Sequence, residues 1–151
     1  MSPSAMIRRW FEEVWNKGRI SAIDEMAAPD VIGHGQAQHG VDIGLKEFRP
    51  FAEKLREAFP DMYITIHATV EQGENVVARW TATMTHRGEF LGIAATGRRV
   101  TVTGTTMMRI VNGKIVEAWD NWDQLGLLVQ LGAMAKAEFV PELDESQAKA
   151  S

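Results

Sequence analysis

Three carboxylates and two tryptophans crowd into one short segment, residues 117–123. This segment has the period-two alternation of a β-strand, which places Ala118, Asp120 and Trp122 on one face. If that face borders a pocket with indole walls, poor solvation would raise the pKa of Asp120 toward the range useful for proton transfer. The alternative is a solvated carboxylate at a strand end; Asp123, directly before a leucine-rich helical pattern, fits a helix cap. Asp120 is therefore the candidate acid or base.

Histidine is the other side chain that titrates near neutral pH. The chain has four: His34, His39, His67 and His86. No two have the helical spacing of a metal site and no His-Glu-x-x-His motif occurs, so a bound metal ion is not expected. The absence of cysteine excludes disulfides, thiolate metal sites and a cysteine nucleophile. No nucleophile-elbow, phosphate-loop or dinucleotide motif is present either, which leaves carboxylate and imidazole as the working groups.

Composition restricts the partners and the compartment. The 151 residues carry 16 basic and 20 acidic side chains, a net charge of −4, which argues against a nucleic-acid partner. No apolar run approaches the roughly 18 residues of a membrane span, and charges interrupt the apolar pattern of the N-terminal segment, unlike a signal peptide. We therefore expect a cytoplasmic protein without membrane association. Five tryptophans in so short a chain are typical of core packing or of the walls of a small-molecule pocket.

Apolar spacing predicts three helices in the first part of the chain. The first covers the N-terminal segment and ends near Gly18. A second helix is predicted over 21–28, followed by a glycine-rich loop over 30–44. The third helix is predicted over 45–59, with a kink or a late start because it contains Pro50.

Period-two alternation predicts four strands in the second part, over 62–70, 76–86, 98–111 and 114–123. Asn112-Gly113 is a strong signal for a type I′ hairpin, and a short helix is predicted over 124–131. Three helices followed by an antiparallel meander of four or more strands indicate an α+β fold, in which helices pack on a curved sheet and enclose a pocket. The domain is expected to span 1–132, and the polar tail, 133–151, to be partly disordered or to contact a second subunit.

Several segments together resemble one known family. Residues 86–97 and 108–117, Trp119-Asp120, and the leucine-rich stretch 127–132 resemble the SnoaL-like polyketide cyclases, also called ester cyclases. The resemblance covers about residues 6–132 and implies the cone-shaped α+β fold of the NTF2-like superfamily. It also implies an intramolecular aldol condensation that closes the fourth ring of an anthracycline-type polyketide ester, with Asp120 as acid and base and without a metal or organic cofactor. Where cyclases of the family have an assisting histidine, this chain has Thr106, which can donate a hydrogen bond but carries no charge near pH 7.

Taken together, the residues and the resemblance predict one binding site. The expected substrate is an apolar, oxygenated small molecule, and Asp120 is the expected catalytic residue. The expected substrate contacts are His39, His86, Thr106, Met108, Trp15, Trp80 and Trp122.

Two other classes of function stay open on the sequence. The first is another enzyme on the same scaffold, an isomerase or an epoxide hydrolase; the hydrolase would need an Asp–Arg–Asp group, for which Arg109 is the available arginine. The second is a non-catalytic protein that binds a small ligand or dimerises, since one fold supports many roles. In either case the open face of a curved sheet predicts a homodimer with an interface of moderate size.

Overall fold

The computed structural model describes residues 1–37 and 40–135. Within them, six strands form one mixed sheet and helices pack on one of its faces, which confirms the predicted α+β class. The helical segments are α1 (Pro3–Trp10) with a π-helical continuation (Phe11–Asn16), α2 (Ser21–Met26), α3 (Leu45–Ala58) and α4 (Gln124–Gln130). The strands are β1 (Ala27–His34), β2 (Asp42–Ile43), β3 (Tyr63–Gln72), β4 (Asn75–Thr85), β5 (Arg99–Val111) and β6 (Lys114–Trp122).

The N-terminal helices form where the apolar periodicity predicts them. The hydroxyl of Ser2 accepts a hydrogen bond from the Ala5 amide and caps α1, which passes directly into its π-helical continuation. Gly18, with a φ of +66°, follows the end of this segment, as expected. α2 is two residues shorter than predicted because the backbone becomes extended at Ala27. α3 begins at Leu45, at the start of the predicted range, and continues through Pro50, so the expected late start is wrong.

The prediction of a loop over 30–44 is wrong, because β1 and β2 lie there. β1 pairs parallel with β6, and β2 pairs antiparallel with β1. The pairing of β1 with β6 is irregular between Ala27 and Ile32, around Pro29, which lacks the N–H that a regular ladder needs. β1 contains Pro29, and its residues do not alternate between apolar and polar types. The sequence pattern therefore did not reveal this strand.

The predicted four-stranded meander is confirmed. β3, β4, β5 and β6 pair antiparallel in chain order, and β1 and β2 extend the sheet to the order β2-β1-β6-β5-β4-β3. Asn112 and Gly113 have φ values of 50° and 74°, as the predicted type I′ turn requires. After β6, the Asp123 carboxylate accepts a hydrogen bond of 2.8 Å from the Gly126 amide and caps α4, also as predicted.

The core lies between the helices and the sheet face that they cover. Its fully buried side chains include Ile7, Val14, Ile23, Phe59, Val76, Met108 and Leu127. The opposite face of the sheet is rich in threonine, including Thr65, Thr81, Thr101, Thr103 and Thr105. Across the described residues, no helix is long and apolar enough to cross a membrane. Most of the predicted tail, residues 136–151, lies outside the described part of the chain.

Candidate active site

A cavity lies between the helices and the sheet. It is lined by side chains of α1, its π-helical continuation, α3 and all six strands, and its walls are mainly apolar. The cavity has a volume of about 100 Å³, which is room for several water molecules. Among the described residues that line it, Asp120 is the only one with a titratable side chain. Apart from the tryptophans, the uncharged polar side chains among these residues are those of Gln36 and Thr106.

A hydrogen bond from Thr106 orients the carboxyl group of Asp120, and a second hydrogen bond, from Trp80, orients Thr106. Asp120 on β6 pairs with Thr106 on β5, and the Thr106 hydroxyl donates a hydrogen bond to Asp120 Oδ1. The indole of Trp80 on β4 donates to Thr106 Oγ1 at 3.0 Å. An indole N–H can only donate and an ionised carboxylate can only accept, so Thr106 Oγ1 accepts from Trp80 and gives its own single hydrogen to the Asp120 carboxylate. The hydrogen bond from Thr106 engages Oδ1, and Asp120 itself lines the cavity.

The surroundings of Asp120 shift its protonation into the neutral range. The residue is half-buried and borders an apolar cavity. Burial raises its pKa from the usual 3.8 to about 7, and the hydrogen bond from Thr106, which favours the charged carboxylate, offsets only part of that rise. A carboxyl group with this pKa can accept a proton and return it at neutral pH, which is the requirement for a general acid and base.

A glycine in β5 makes the contact between Trp80 and Thr106 possible. Gly104 is paired with Trp80 on one side and with Trp122 on the other. A Cβ atom at Gly104 would lie 2.4 Å from Cζ2 of the Trp80 indole, closer than real Cβ atoms approach. The missing side chain therefore lets the indole lie across β5 and reach Thr106, two residues further along the strand.

Aromatic rings from the helices form the opposite wall of the cavity. The ring of Phe48 on α3 stacks on Trp10 with ring centroids 5.8 Å apart and meets the edge of Trp15 at 5.9 Å. Phe11 is tilted against Trp80 at 6.0 Å, which connects the helical wall to the sheet wall. All five rings line the cavity, so a bound molecule would have aromatic surface on its helical and its sheet side.

The sequence as a whole matches one family model, that of the SnoaL-like polyketide cyclases, over residues 5–131. The chain belongs to this family. The family match covers α1 through α4 and includes every described residue of the cavity.

Two similar proteins are named as methyl ester cyclases. The chain is 32% identical over 119 residues to the nogalonic acid methyl ester cyclase of Streptomyces nogalater, covering 78% of this chain and 89% of the relative. It is 30% identical over 134 residues to the aklanonic acid methyl ester cyclase DauD of Streptomyces sp. (strain C5), covering 87% of this chain and 83% of the relative.

Solved structures of the family have the same fold. IdmH of Streptomyces antibioticus, described as a candidate polyketide cyclase, superposes with a TM-score of 0.77 at 32% identity, covering 87% of this chain and 99% of IdmH. AclR of Streptomyces galilaeus, described as a candidate hydroxylase, superposes with a TM-score of 0.77 at 30% identity, covering 88% of this chain and 99% of AclR. The predicted NTF2-like cone is thus confirmed.

The structure brings most of the predicted site residues into the cavity. Six of them line it: Asp120, Thr106, Met108, Trp15, Trp80 and Trp122. The five that lie on strands come together because β4, β5 and β6 each present alternate side chains to the same face of the sheet. Trp15 belongs to the π-helical continuation of α1. Their roles toward a substrate remain predictions.

The two predicted histidine contacts do not join this group. His86 is fully buried but does not line the cavity: its ring stacks on Phe59 at 5.3 Å, and its Nδ1 accepts a hydrogen bond of 3.2 Å from the Thr96 amide. The chain after β4 turns back at this point, since the Gly97 amide bonds to the His86 carbonyl, and the ring is directed toward the end of α3. His39 lies outside the described residues.

Arg109, the arginine of the epoxide-hydrolase alternative, lies away from the cavity. Its guanidinium pairs with Glu117 at 3.5 Å, and Glu117 also contacts His34 Nε2 at 2.7 Å. The other ring nitrogen of His34 contacts Asp42 at 2.7 Å, and its hydrogen bonds to Asp42 and Glu117 raise the pKa of His34 despite desolvation. None of these side chains lines the cavity, so the cavity holds no Asp–Arg–Asp group among its described residues.

In the described part of the chain, no group of three or more His, Asp or Glu side chains is placed to hold a metal ion.

Several cavity residues were not predicted from the sequence. Gly33 and Gln36 come from β1 and the connection to β2, and Phe48 and Phe51 come from α3. The aromatic residues of α3 were recognisable as one apolar face of a helix, but not as a cavity wall. No sequence pattern indicated that Gln36 lines the cavity, because the segment around it shows no periodicity and the strand near it, β6, is distant in sequence.

Proposed function

We propose that this protein is a cofactor-independent acid/base enzyme that closes a ring in a polyketide ester by intramolecular aldol condensation. The observation that carries the proposal is Asp120, the one titratable side chain among the described cavity residues, with a pKa of about 7 and an orientation fixed by Thr106. The family to which the chain belongs supports the same chemistry, since two relatives are cyclases of nogalonic and aklanonic acid methyl esters.

In the proposed reaction Asp120 acts first as a base and then as an acid. The carboxylate removes a proton from a carbon next to a carbonyl group, and the C–H electron pair becomes part of an enolate. The enolate carbon forms a C–C bond to a second carbonyl carbon of the same molecule, whose π electrons move to its oxygen. That oxygen takes the proton from Asp120, so the product is an isomer of the substrate and the carboxylate is regenerated.

The apolar walls support a substrate that is largely hydrocarbon or aromatic. Trp10, Trp15, Phe48 and Trp122 would cover its ring system, and Met108 would contact it from the sheet. Such walls also exclude water from the enolate, which strengthens the electrostatic interactions inside the site.

Turnover with two esters tests the proposal directly. The purified protein, treated with EDTA and dialysed, is incubated with aklanonic acid methyl ester or with nogalonic acid methyl ester, and products are separated by chromatography and analysed by mass spectrometry. We expect a product of unchanged mass and altered retention, formed faster than in buffer alone. Binding of both esters without product, observed as quenching of tryptophan fluorescence, would contradict the catalytic proposal and support the non-catalytic ligand-binding alternative.

We also propose that the protein acts in the cytoplasm as a homodimer. A chain without cysteine suits a reducing compartment. Within residues 1–37 and 40–135, the helices leave the threonine-rich face of the sheet uncovered, and this face has the mixed polarity of an interface of moderate size.

A further inference from the structure

The proposed reaction needs a hydrogen-bond donor that the Asp120–Thr106 pair does not supply. Removal of a proton next to a carbonyl places negative charge on the carbonyl oxygen, and a donor aimed at that oxygen stabilises it. Thr106 has one hydroxyl hydrogen, which it donates to Asp120 because an ionised carboxylate can only accept, and the indole N–H of Trp80 donates to the Thr106 oxygen. Both donors are therefore committed to holding Asp120 in place, and the enolate oxygen must be served by another group.

Few polar donors remain among the described cavity residues. They are the carboxamide of Gln36 and the indole N–H groups of Trp10, Trp15 and Trp122. Gln36 is half-buried, and its carboxamide makes no side-chain hydrogen bond to the other described residues. Trp10 and Trp15 belong to the helical wall on the far side of the cavity from β6.

The turn after β1 fixes Gln36 next to Asp120. Gly35, with a φ of +71°, approaches β6 so closely that a Cβ atom there would lie 2.6 Å from the Asp120 carbonyl oxygen. Such a conformation and such an approach both require glycine. Gln36 therefore leaves the backbone at the flank of Asp120 that faces β1, whereas Thr106 holds the carboxyl from the flank that faces β5.

The side chain of Gln36 folds back into the cavity over Gly33. A Cβ atom on Gly33 would lie 2.6 Å from Gln36 Cγ, so the stem of the Gln36 side chain occupies the space that a side chain at position 33 would fill, and the carboxamide Nε2 lies next to this space, at 3.7 Å. Gly33 pairs with Ala118, two residues before Asp120 on the same face of β6. The carboxamide and the Asp120 carboxyl thus border the same part of the cavity.

We propose that the Gln36 carboxamide donates a hydrogen bond to the substrate carbonyl oxygen that becomes the enolate oxygen, while Asp120 removes the adjacent proton. This inference rests on the proposed function and assigns its oxyanion donor. A neutral amide cannot transfer a proton at neutral pH, so Gln36 stabilises the charge without titrating itself. Together, Gln36 and Asp120 recognise a planar molecule with a carbonyl group next to an acidic C–H bond.

A coloured phenol tests this donor without any turnover. 2-Hydroxyanthraquinone is planar, and its absorbance in the visible range reports ionisation to a phenolate, whose oxygen stands in for the enolate oxygen. The ionisation constant of the bound dye is measured by pH titration in the Asp120→Asn protein, which removes repulsion from the carboxylate, and in the same protein carrying Gln36→Leu. Leucine has a similar volume but no donor, so we expect the bound dye to ionise roughly tenfold less readily, the loss of one hydrogen bond to a charged group.

Three further variants in the same background make the test specific. Gly33→Ala should reproduce the direction of the Gln36→Leu effect, because the added methyl group displaces the carboxamide. Gln36→Glu should suppress ionisation further, since it places a like charge beside the phenolate. Trp122→Phe, which removes the indole donor of β6 but keeps an aromatic ring, should change the ionisation constant less than Gln36→Leu does.

The outcomes separate this proposal from the cyclase proposal. An unchanged ionisation constant in Gln36→Leu, a loss in Trp122→Phe instead, or failure of the dye to bind would each overturn the assignment of Gln36. If the dye behaves as expected while neither ester is turned over, the oxyanion site stands and the cyclase proposal fails. If both esters are turned over, Gln36→Leu alone should lower kcat at least tenfold with a smaller change in KM, because the donor acts mainly on the charged transition state.

Discussion

Replacing Asp120 with asparagine should make the protein inactive and, at alkaline pH, more stable. Asparagine has nearly the same shape, and its amide oxygen can accept the hydrogen bond that Thr106 gives to Asp120 Oδ1. The substitution removes the group that accepts the proton, so kcat should fall by about 10² or more. It also removes a carboxylate whose burial disfavours the folded state when it is charged.

The size of the stability gain follows from the two pKa values. The folded state holds the Asp120 proton up to a pKa of about 7, whereas an unfolded chain releases it near 3.8. Between these pH values the folded state binds more protons, so the contribution of Asp120 to stability falls as pH rises and is lost above the folded pKa. At about 1.36 kcal/mol per pH unit, the loss reaches roughly 4 kcal/mol by pH 8, against about 1–2 kcal/mol at pH 5.

Urea denaturation of both proteins at the two pH values measures this difference. The variant lacks the titration, so the free energy of unfolding of Asp120→Asn relative to the parent protein should rise by roughly 2–3 kcal/mol between pH 5 and pH 8. In parallel, kcat/KM of the parent protein should increase about tenfold per pH unit below pH 7 and level off above it, because the ionised carboxylate is the base.

Asp123→Asn is the matched control. It makes the same chemical change three residues away, at a helix cap outside the cavity, where asparagine caps about as well as aspartate. Its stability difference should therefore stay within about 0.5 kcal/mol at both pH values, and its activity should be unchanged. A stability difference for Asp120→Asn that is the same at pH 5 and pH 8 would refute the reasoning, since it would mean that Asp120 titrates alike in the folded and unfolded chain.

Further predictions concern the residues around Asp120 and the outer face of the sheet. Thr106→Val removes the hydrogen bond that favours the carboxylate, so the midpoint of the pH–rate profile should rise by about one pH unit. Gly104→Ala should lower the free energy of unfolding by about 1–3 kcal/mol in urea denaturation, because its methyl group meets the Trp80 indole. The raised pKa of His34 stabilises the fold below its unfolded value, near 6.5, and this contribution is lost as pH rises through the folded pKa; His34→Ala should therefore lose more stability at pH 5.5 than at pH 8.5. Light scattering at micromolar concentration should give the mass of a dimer, and a monomer mass would contradict the proposed assembly.

Local pattern was enough to predict much of the fold and the central residue of the site. Helical periodicity, strand alternation and the Asn112-Gly113 turn are properties of consecutive residues, so the first helices, the β3–β6 meander and the cap at Asp123 could all be recognised in advance. The same alternation put Asp120 and Trp122 on one face of β6, which is where the cavity lies.

Tertiary structure decided what surrounds that residue. The pairing of β1 with β6 joins segments more than eighty residues apart, and it brings Gln36 beside Asp120 through the close approach of Gly35. Register across β4, β5 and β6 places Trp80 over Gly104 and commits the Thr106 hydroxyl to Asp120, and enclosure by apolar walls raises the carboxyl pKa. The amino-acid sequence by itself therefore determined which acid is available, whereas strand register and burial, which depend on contacts between distant segments, determined its orientation, its pKa and its partners.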